Sequence, residues 1–355
     1  MNASESIITL STSSFSPSSL SLELSTDQKP QKTLHVLYGI HFGEKRNDTM
    51  IAEWEVSLKS ILSNAPTDND VNIHILANNN ATETITKRID EIGLVNSRWG
   101  KNITLSLYNI ETKLEEWTTF LEEKVRGLPL DKRVSIGGYF RLLAYQILSK
   151  RDIDEVLYLD TDVVILANLN DLMRYMNTTH EENKDMIWQY DAAWPNSGFM
   201  VINMKKFHRF WELITQLPTI RHAGDQTLLS MIVEQWPNAT YRGVIPTNWN
   251  NHIGHGYRRA PHTLLHKIEE GQNVGMLHFT GGPGATFFDG PGLDKYCGER
   301  QQGPACKGHL EEYHSSWGLA EYYVRLPWKL VMYFGSSKIQ TGKLGYPLKF
   351  ETIVC

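Results

Sequence analysis

The chain lacks a basic excess and a long apolar run, and its first residues do not predict a secretory leader. Its 355 residues carry 35 basic and 40 acidic side chains, for a net charge of −5. A nucleic-acid binder would normally show a basic excess or stripe, so that class is disfavoured. No run of about 18 apolar residues occurs, which predicts no membrane-spanning helix. The 41% hydrophobic and 21% charged content is ordinary for a globular protein with a sizeable core.

Residues 1–32 are rich in Ser and Thr and differ in composition from the rest. They contain neither the charged segment nor the apolar segment of a signal peptide, so a flexible tail or stem is predicted. There are only three cysteines, Cys297, Cys306 and Cys355. Cys297 and Cys306 flank a loop of Gly, Gln and Pro; they could pair or remain free thiols.

Asn-x-Ser/Thr sites are frequent, and they favour a secretory compartment. The six sites are at Asn2, Asn47, Asn80, Asn102, Asn177 and Asn238. We therefore predict the Golgi or secretory lumen, with the cytoplasm as the alternative because the chain shows no targeting signal.

Short apolar runs alternate with amphipathic stretches through the first half of the chain. Strands are predicted at LHVLYGI (34–40), VNIHILAN (71–78), NITLSLYNI (102–110) and EVLYLDTDVVIL (155–166). Helices are predicted at MIAEWEVSLKSILSN (50–64), ETITKRIDEIGL (83–94), the segment 114–125 and GGYFRLLAYQILSK (137–150). This alternation predicts an α/β fold with a mostly parallel sheet and helices on both faces.

Three Asp-x-Asp triplets occur, and their surroundings distinguish them. Asp68-Asn69-Asp70 lies in a polar stretch where Asp commonly caps turns. Asp152-Ile153-Asp154 follows Lys150 and Arg151 and is predicted to be a solvated loop. Only Asp160-Thr161-Asp162 has apolar runs on both sides. Because an unpaired buried carboxylate is costly, such acids normally bind a cation or a hydrogen-bond network.

Asp160 and Asp162 are predicted at the carboxyl end of a strand, where open α/β sheets bind their ligands. On a regular strand, acids at i and i+2 point the same way, and a turn at the strand end can also aim both at one ion. Hard divalent ions such as Mg²⁺ or Mn²⁺ prefer oxygen ligands and often hold substrate phosphates. The pattern therefore predicts a divalent metal site.

Two enzyme classes use such a pair. In haloacid-dehalogenase-like phosphatases the two acids are a nucleophile and a general acid, and a later Gly-Asp with a further Asp completes the Mg²⁺ site. The best match here is GDQTLLS (224–230), which lacks the further Asp. In sugar-nucleotide-dependent glycosyltransferases the acids hold Mn²⁺, which neutralises the departing diphosphate.

Several motifs within residues 33–290 resemble the retaining family 8 glycosyltransferases, in the order expected of that family. They are GGYFRLLAYQIL followed by DIDEVLYLDTDVVI, PNSGFMVINMKKF (195–207), GDQTLLSMIV (224–233) and LHFTGGPG (277–284). PTNWNNH (246–252) is similar to a Trp-Asn segment of the eukaryotic glucoside xylosyltransferase subgroup. The resemblance implies a GT-A fold, a Rossmann-like mostly parallel sheet flanked by helices.

The resemblance also implies roles for individual residues. Asp160, Asp162 and His278 would bind the metal, Mn²⁺ or Mg²⁺, and a neutral His beside two carboxylates suits Mn²⁺. Asp225 would hydrogen-bond the sugar hydroxyls, and Gln226 would lie by the anomeric carbon; both are assigned as catalytic. The donor-binding residues would be Tyr38, Gly39, His41, Arg141, Asp160, Thr161, Asn196, Ser197, Gly281 and Gly282.

Two positions depart from the family pattern. His41 stands where the family often has an acid that contacts the base. No Lys or Arg follows in HFTGGPGATFFDG (278–290), where the family often has a diphosphate-clamping Lys. Backbone amides of Gly281, Gly282 and Gly284 could cradle phosphate instead. The segment 281–293 is the predicted lid.

These observations predict a metal-dependent retaining glycosyltransferase that moves xylose or a hexose from a UDP-sugar to a hydroxyl of a glycan or glycoside acceptor. A degenerate sugar-nucleotide-binding protein without transfer activity is the alternative, and the phosphatase interpretation is weaker. The predicted division is a tail at 1–32, a catalytic domain at 33–290 and a C-terminal extension at 291–355 that packs on it.

Overall fold

The structure is a computed structural model, and all of the residues it describes belong to one compact unit within Lys32–Cys355. The described residues are 33–43, 48–65, 70–93, 98–99, 103–126, 136–149, 151–169, 171–175, 186–190, 196–218, 220–221, 224–237, 241–245, 249, 251–252, 274–279, 323, 325–326, 346–347 and 349–354. The predicted tail, the three cysteines and most of the predicted C-terminal extension lie outside these ranges, so the domain division stays a prediction.

Helices and strands alternate along the chain as the sequence predicts. The α-helices are α1 (Asp48–Asn64), α2 (Asn79–Glu91), α3 (Glu111–Lys124), α4 (Phe140–Leu148), α5 (His208–Gln216) and α6 (Asp225–Gln235), and a 3₁₀ helix (Ile136–Tyr139) precedes α4. The strands are β1 (Leu34–Ile40), β2 (Val71–Ala77), β3 (Arg98–Trp99), β4 (Ile103–Asn109), β5 (Val125–Arg126), β6 (Glu155–Leu159), β7 (Val163–Ile165), β8 (Met186–Tyr190), β9 (Phe199–Asn203), β10 (Ile220–Arg221), β11 (Tyr241–Val244), β12 (Asn251–His252), β13 (Met276–His278), β14 (Tyr346–Pro347) and β15 (Lys349–Val354).

The main sheet has eight strands in the order β11-β8-β9-β6-β1-β2-β4-β15. Every pairing in it is parallel except those of β9, which runs antiparallel to both β6 and β8. A separate three-stranded sheet has the order β12-β13-β7, with β13 antiparallel to β7. The remaining pairs are β10 with β5 and β14 with β3.

Helices cover both faces of the main sheet, as predicted. Successive residues of a strand point to opposite faces, so Val36 and Tyr38 join one buried cluster while Leu37 joins another. Apolar residues of α1 and α2 belong to the first cluster, and those of α3 to α6 belong to the second. The mostly parallel sheet with two helical layers is confirmed.

Several element boundaries differ from the sequence prediction. The apolar run at 155–166 forms two strands, β6 and β7, which belong to different sheets and are joined by a turn. Helix α2 starts at Asn79 rather than residue 83 because Asn78 caps it, its Oδ1 accepting from the N–H of Ala81 at 3.3 Å. The stretch 137–150 begins with a 3₁₀ turn before α4.

Among the residues that the structure describes, no helix combines the length and apolar character needed to cross a membrane. Asn80 is the one glycosylation site of the six that falls within the described ranges, and its side chain is exposed. The compartment stays a prediction.

A buried histidine makes the stability of this fold sensitive to acid. His74 on β2 is 2% exposed. Its Nε2 forms a hydrogen bond with His35 Nδ1 at 3.1 Å, and its Nδ1 forms one with the Tyr108 hydroxyl at 3.0 Å. Burial lowers the pKa of His74 from 6.5 to about 3, and positive charge at His35 and Arg151 acts in the same direction. Below its ordinary pKa of 6.5, the unfolded chain therefore binds a proton that the native His74 does not.

We expect the free energy of unfolding to fall as the pH drops below about 6.5, with His74 contributing about 1.4 kcal/mol per pH unit at most. Urea denaturation at pH 7.5, 6.5 and 5.5 measures this. His74→Gln keeps hydrogen-bonding groups without titrating and should show a flatter pH dependence. Parallel pH curves for the two proteins would contradict the assignment.

Candidate active site

The Asp160-Thr161-Asp162 triplet forms the turn between β6 and β7. β6 lies in the main sheet and β7 in the three-stranded sheet, so the turn joins the two sheets. Its backbone is held on both sides: the N–H of Asp160 donates to the carbonyl of Gly198 at 2.8 Å, and the N–H of Phe279 donates to the carbonyl of Asp162 at 3.0 Å. The sequence left open a strand or a turn here, and the structure shows a turn.

Strand pairing brings His278 to this turn. His278 ends β13 opposite Val163 of β7 and is 1% exposed. Its Nε2 lies 3.3 Å from Asp162 Oδ1 and 3.9 Å from Asp160 Oδ2. One ligand atom from each of the three residues lies within 4.8 Å of the others. The structure thus assembles the three side chains that the resemblance assigns to the metal.

The surroundings of these atoms fit a divalent cation. Asp162 Oδ1 is buried and receives no hydrogen bond from the residues that the structure describes. A buried carboxylate oxygen in that state is costly unless a cation or donor satisfies it. Neighbouring ligands of an octahedral ion are about 3 Å apart when each bond is about 2.1 Å. The observed separations of 3.3 and 3.9 Å need little adjustment to reach that arrangement.

Gly198 allows the ligands to approach each other. It immediately precedes β9, whose antiparallel pairing with β6 places it beside Asp160. A Cβ at Gly198 would lie 2.3 Å from Asp160 Oδ2 and 2.3 Å from His278 Cε1. No real side chain tolerates such contacts, so the site requires glycine here.

Arg141 on α4 is the buried counter-charge of the site, with 5% of its side chain exposed. Nη2 donates to Asp160 Oδ1 at 2.9 Å, Nη1 donates to Ser197 Oγ, and Nε lies 3.2 Å from Asp225 Oδ2. Burial acts to lower the pKa of the guanidinium, but Asp160 and Asp225 outweigh it and raise that pKa. The guanidinium of Arg141 thus contacts three separate parts of the chain, at Asp160, Ser197 and Asp225. The predicted contact of Arg141 with the donor stays a prediction.

Asp225 and Gln226 begin α6, where the helix N-terminus favours an acid. Asp225 is 4% exposed, and its Oδ2 accepts from Ser197 Oγ at 2.5 Å. Burial raises the pKa of Asp225, while Arg141 and Ser197 act in the opposite direction. Asn196 Oδ1 accepts from the N–H of Gly198 at 2.8 Å, which fixes the turn before β9. Ser197 and Asp225 therefore share one network with Arg141, and Asn196 fixes the turn that carries Ser197. Gln226, next to Asp225 in α6, is half-buried.

Three of the predicted donor-binding residues lie at β1: Tyr38 and Gly39 are within the strand, and His41 follows it. The Tyr38 side chain is fully buried, and its hydroxyl lies 2.8 Å from Ser57 Oγ of α1. Its backbone pairs with both β2 and β6 in the sheet, so its contact with a donor stays a prediction. Gly39 permits close packing, because a Cβ there would lie 2.7 Å from Phe140 Cβ. His41 is half-buried against the edge of the Phe140 ring, and burial lowers its pKa although Glu111 opposes this.

The other predicted features are placed as follows. Gly281, Gly282 and the predicted lid lie outside the described residues, so their roles stay predictions. Asp152 and Asp154 are exposed, and Asp154 pairs with the exposed Lys205 at 2.7 Å, which confirms a solvated loop.

Sequence reasoning missed two polar residues beside Asp160, Asp162 and His278. Tyr158 on β6 donates its hydroxyl to Asp160 Oδ1 at 2.9 Å, and its ring lies under the Arg141 guanidinium at 4.5 Å. Burial raises the pKa of Tyr158 well above its ordinary value, so the hydroxyl keeps its proton. Glu53 on α1 is 7% exposed and accepts from Thr161 Oγ1 at 3.5 Å. A Tyr two residues before Asp160, on the same side of a strand, was the available signal.

The family match identifies the class of enzyme to which this chain belongs, the glycosyltransferases. The sequence model of the family described as "Glycosyl transferase family 8" matches residues 47–283. The match covers more than half of the 355 residues, and the chain belongs to glycosyl transferase family 8. The mostly parallel sheet flanked by helices is the GT-A architecture that the resemblance implied. No curated protein sequence matches this chain.

Solved structures of glycosyltransferases are also similar to it. Mouse xyloside xylosyltransferase 1 in its apo form is 16% identical with a TM-score of 0.49, over 70% of this chain and 97% of that chain. The galactosyltransferase LgtC, in complex with donor and acceptor sugar analogs, is 19% identical with a TM-score of 0.47, over 81% and 100%. GlyE of Streptococcus pneumoniae is 14% identical with a TM-score of 0.47, over 89% and 66%. The family match, rather than these low scores, carries the assignment.

Proposed function

We propose that the chain is a divalent-cation-dependent retaining glycosyltransferase that transfers xylose or a hexose from a UDP-sugar to a hydroxyl of a glycan or glycoside acceptor. The observation that carries this is the convergence of Asp160, Asp162 and His278 at the junction of the two sheets. Two carboxylates and an imidazole suit Mn²⁺, and carboxylates also suit Mg²⁺. When bound, the cation supplies Lewis-acid stabilisation of the departing diphosphate.

The protein's own residues hold and orient that site. Arg141 keeps Asp160 and Asp225 in place and offsets part of their negative charge. Gly198 keeps the space between Asp160 and His278 clear of a side chain. The turn at Asn196 and the N-terminus of α6 place Ser197, Asp225 and Gln226 against the same network, where the donor sugar would be oriented.

The surroundings of the three acids assigned to the site, Asp160, Asp162 and Asp225, favour a same-face route without a covalent intermediate. Asp160 and Asp162 belong to the metal cluster, and Asp225 Oδ2 accepts from Ser197 and lies at ion-pair distance from Arg141. Gln226 is a poor nucleophile. In this route the leaving phosphate accepts the proton of the acceptor hydroxyl, and positive charge develops at the anomeric carbon as in glycoside hydrolysis.

The competing interpretation is a family member that binds sugar nucleotides without transferring sugar. The absence of Lys or Arg from 278–290 favours it. Both interpretations expect a cation at Asp160, Asp162 and His278. They differ in turnover, because only the transferring enzyme releases UDP from a sugar nucleotide.

A donor screen tests the proposal. Each UDP-sugar, UDP-xylose and UDP-glucose first, is incubated with the protein, an alkyl glycoside acceptor and Mn²⁺, and UDP release is measured. We expect at least one donor to give UDP release that EDTA abolishes and added Mn²⁺ restores. Donor binding without release for every donor and acceptor would support the non-transferring interpretation, and EDTA-insensitive release would overturn the metal requirement.

A further inference from the structure

The two carboxylate oxygens of Asp160 have different surroundings. Oδ1 accepts from the Tyr158 hydroxyl at 2.9 Å and from Arg141 Nη2 at 2.9 Å. Oδ2 faces the metal cluster, 3.9 Å from His278 Nε2. The position that a Cβ of Gly198 would take lies 2.3 Å from Oδ2. One oxygen is thus held by donors, and the other is directed towards the metal ligands.

We propose that Tyr158 is a positioning residue of the metal site. Its hydroxyl, together with Arg141, holds Oδ1 so that Asp160 binds the cation through Oδ2 alone. The inference rests on the proposed function, because it needs the cation that the function uses.

Strand geometry explains why Tyr158 can do this. Residues i and i+2 of a strand project from the same side, and Tyr158 stands two residues before Asp160 at the end of β6. Tyr158 is 1% exposed and belongs to the buried cluster that also contains the apolar residues of α3 to α6. The Arg141 guanidinium stacks on the face of its ring, 4.5 Å from the ring centre. A Phe at this position would keep the ring and its packing and would remove only the hydroxyl that reaches Asp160.

Binding through one oxygen affects which ion the site prefers. Ca²⁺ takes six to eight oxygen ligands and often binds both oxygens of a carboxylate, whereas Mg²⁺ demands a near-octahedral set at shorter distances. Mn²⁺ shares the octahedral preference. A carboxylate with Oδ1 held by two donors cannot readily chelate, so the intact site should favour Mn²⁺ over Ca²⁺.

The test is Tyr158→Phe in the full chain, without any donor sugar. Mn²⁺ affinity is measured from the electron paramagnetic resonance signal of free Mn²⁺, and Ca²⁺ affinity by competition. We expect Mn²⁺ affinity to fall about 10-fold, which is the scale of losing an outer-shell partner. Ca²⁺ affinity should fall less than Mn²⁺ affinity, so the ratio of Mn²⁺ affinity to Ca²⁺ affinity becomes smaller than in the wild type.

Tyr108→Phe is the matched control. Tyr108 is also buried, and its hydroxyl lies 3.0 Å from His74 Nδ1 rather than beside a metal ligand. Both affinities should stay at the wild-type values in this variant. An equal loss for both ions in Tyr158→Phe, or an unchanged Mn²⁺ affinity, overturns the inference.

Thermal unfolding and circular dichroism establish whether Tyr158→Phe is folded. If Tyr158→Phe does not fold, Arg141→Lys is used instead, because it removes the Nη2 donor to Asp160 Oδ1. This variant should also lower the ratio of Mn²⁺ affinity to Ca²⁺ affinity. An unchanged ratio in Arg141→Lys overturns the inference. A wild-type protein that binds no Mn²⁺ would show that the proposed metal dependence is itself wrong. A wild-type protein that binds Mn²⁺ with the same ion preference as Tyr158→Phe would remove only the role of Tyr158.

Discussion

Asp162→Asn should lower turnover by on the order of a thousandfold, because the proposed cation would stabilise the leaving group by several kcal/mol and each 1.36 kcal/mol is a factor of ten in rate. Asn has nearly the shape of Asp but lacks its charge. Asp162 Oδ1 lies 3.3 Å from His278 Nε2, so the substitution replaces a charged oxygen at the centre of the proposed metal site with a neutral group. Steady-state UDP release over a range of Mn²⁺ concentrations measures the loss.

The same variant gives a second result that does not depend on turnover. A ligand that binds only the native state raises the unfolding temperature by mass action. Added Mn²⁺ should therefore raise the unfolding temperature of the wild-type protein and have little effect on Asp162→Asn. Without metal, the variant should be at least as stable as the wild type, because Asp162 Oδ1 is buried without a hydrogen-bond donor among the described residues.

Asp154→Asn is the matched control, since it changes an acid of the neighbouring Asp-x-Asp triplet in the same way. Asp154 is exposed and pairs with the exposed Lys205, and such surface pairs contribute little to stability. Turnover and the Mn²⁺-induced shift should both remain. Wild-type turnover in Asp162→Asn, or a full Mn²⁺-induced shift, would contradict the assignment of the metal site.

The sequence was informative about the site wherever the signal was local. Apolar flanks alone separated Asp160 and Asp162 from the exposed Asp152 and Asp154. The strand and helix order also followed from local periodicity, because burial imposes a repeat of two on strands and about 3.6 on helices. Resemblance to a family was needed for His278, which is more than a hundred residues from Asp162 in the chain.

The rest depends on long-range pairing, which a single sequence does not encode in any local pattern. The antiparallel direction of β9 places Gly198 beside Asp160, and the register of β13 against β7 places His278 beside the turn. Arg141 was singled out, but its three acceptors come from segments that meet only in the folded chain. Tyr158 and Glu53 were missed because an isolated Tyr or Glu in an apolar stretch is compatible with ordinary packing.

Gly198→Ala should disrupt the metal site as severely as the loss of a ligand. The added methyl would lie 2.3 Å from Asp160 Oδ2 and 2.7 Å from His278 Nε2, so at least one of these groups must move. Neither has room to do so easily. Asp160 is tied to Arg141 and Tyr158, and His278 is 1% exposed within a paired strand. Separating the two side chains should reduce Mn²⁺ affinity by at least on the order of 100-fold, because losing a contact that only supports a ligand already costs about 10- to 100-fold.

Overpacking should also destabilise the fold by about 1–3 kcal/mol, so Mn²⁺ binding and urea denaturation are measured on the same preparation. Gly43→Ala is the control, because Gly43 is exposed and a Cβ there meets nothing within 4 Å. It should leave affinity and stability unchanged. If Gly198→Ala bound Mn²⁺ like the wild type, Asp160 and His278 could not be ligands of one ion in the arrangement described. A loss of Mn²⁺ affinity in a variant that still unfolds cooperatively would instead show that the missing side chain at Gly198 is what lets the two residues share the ion.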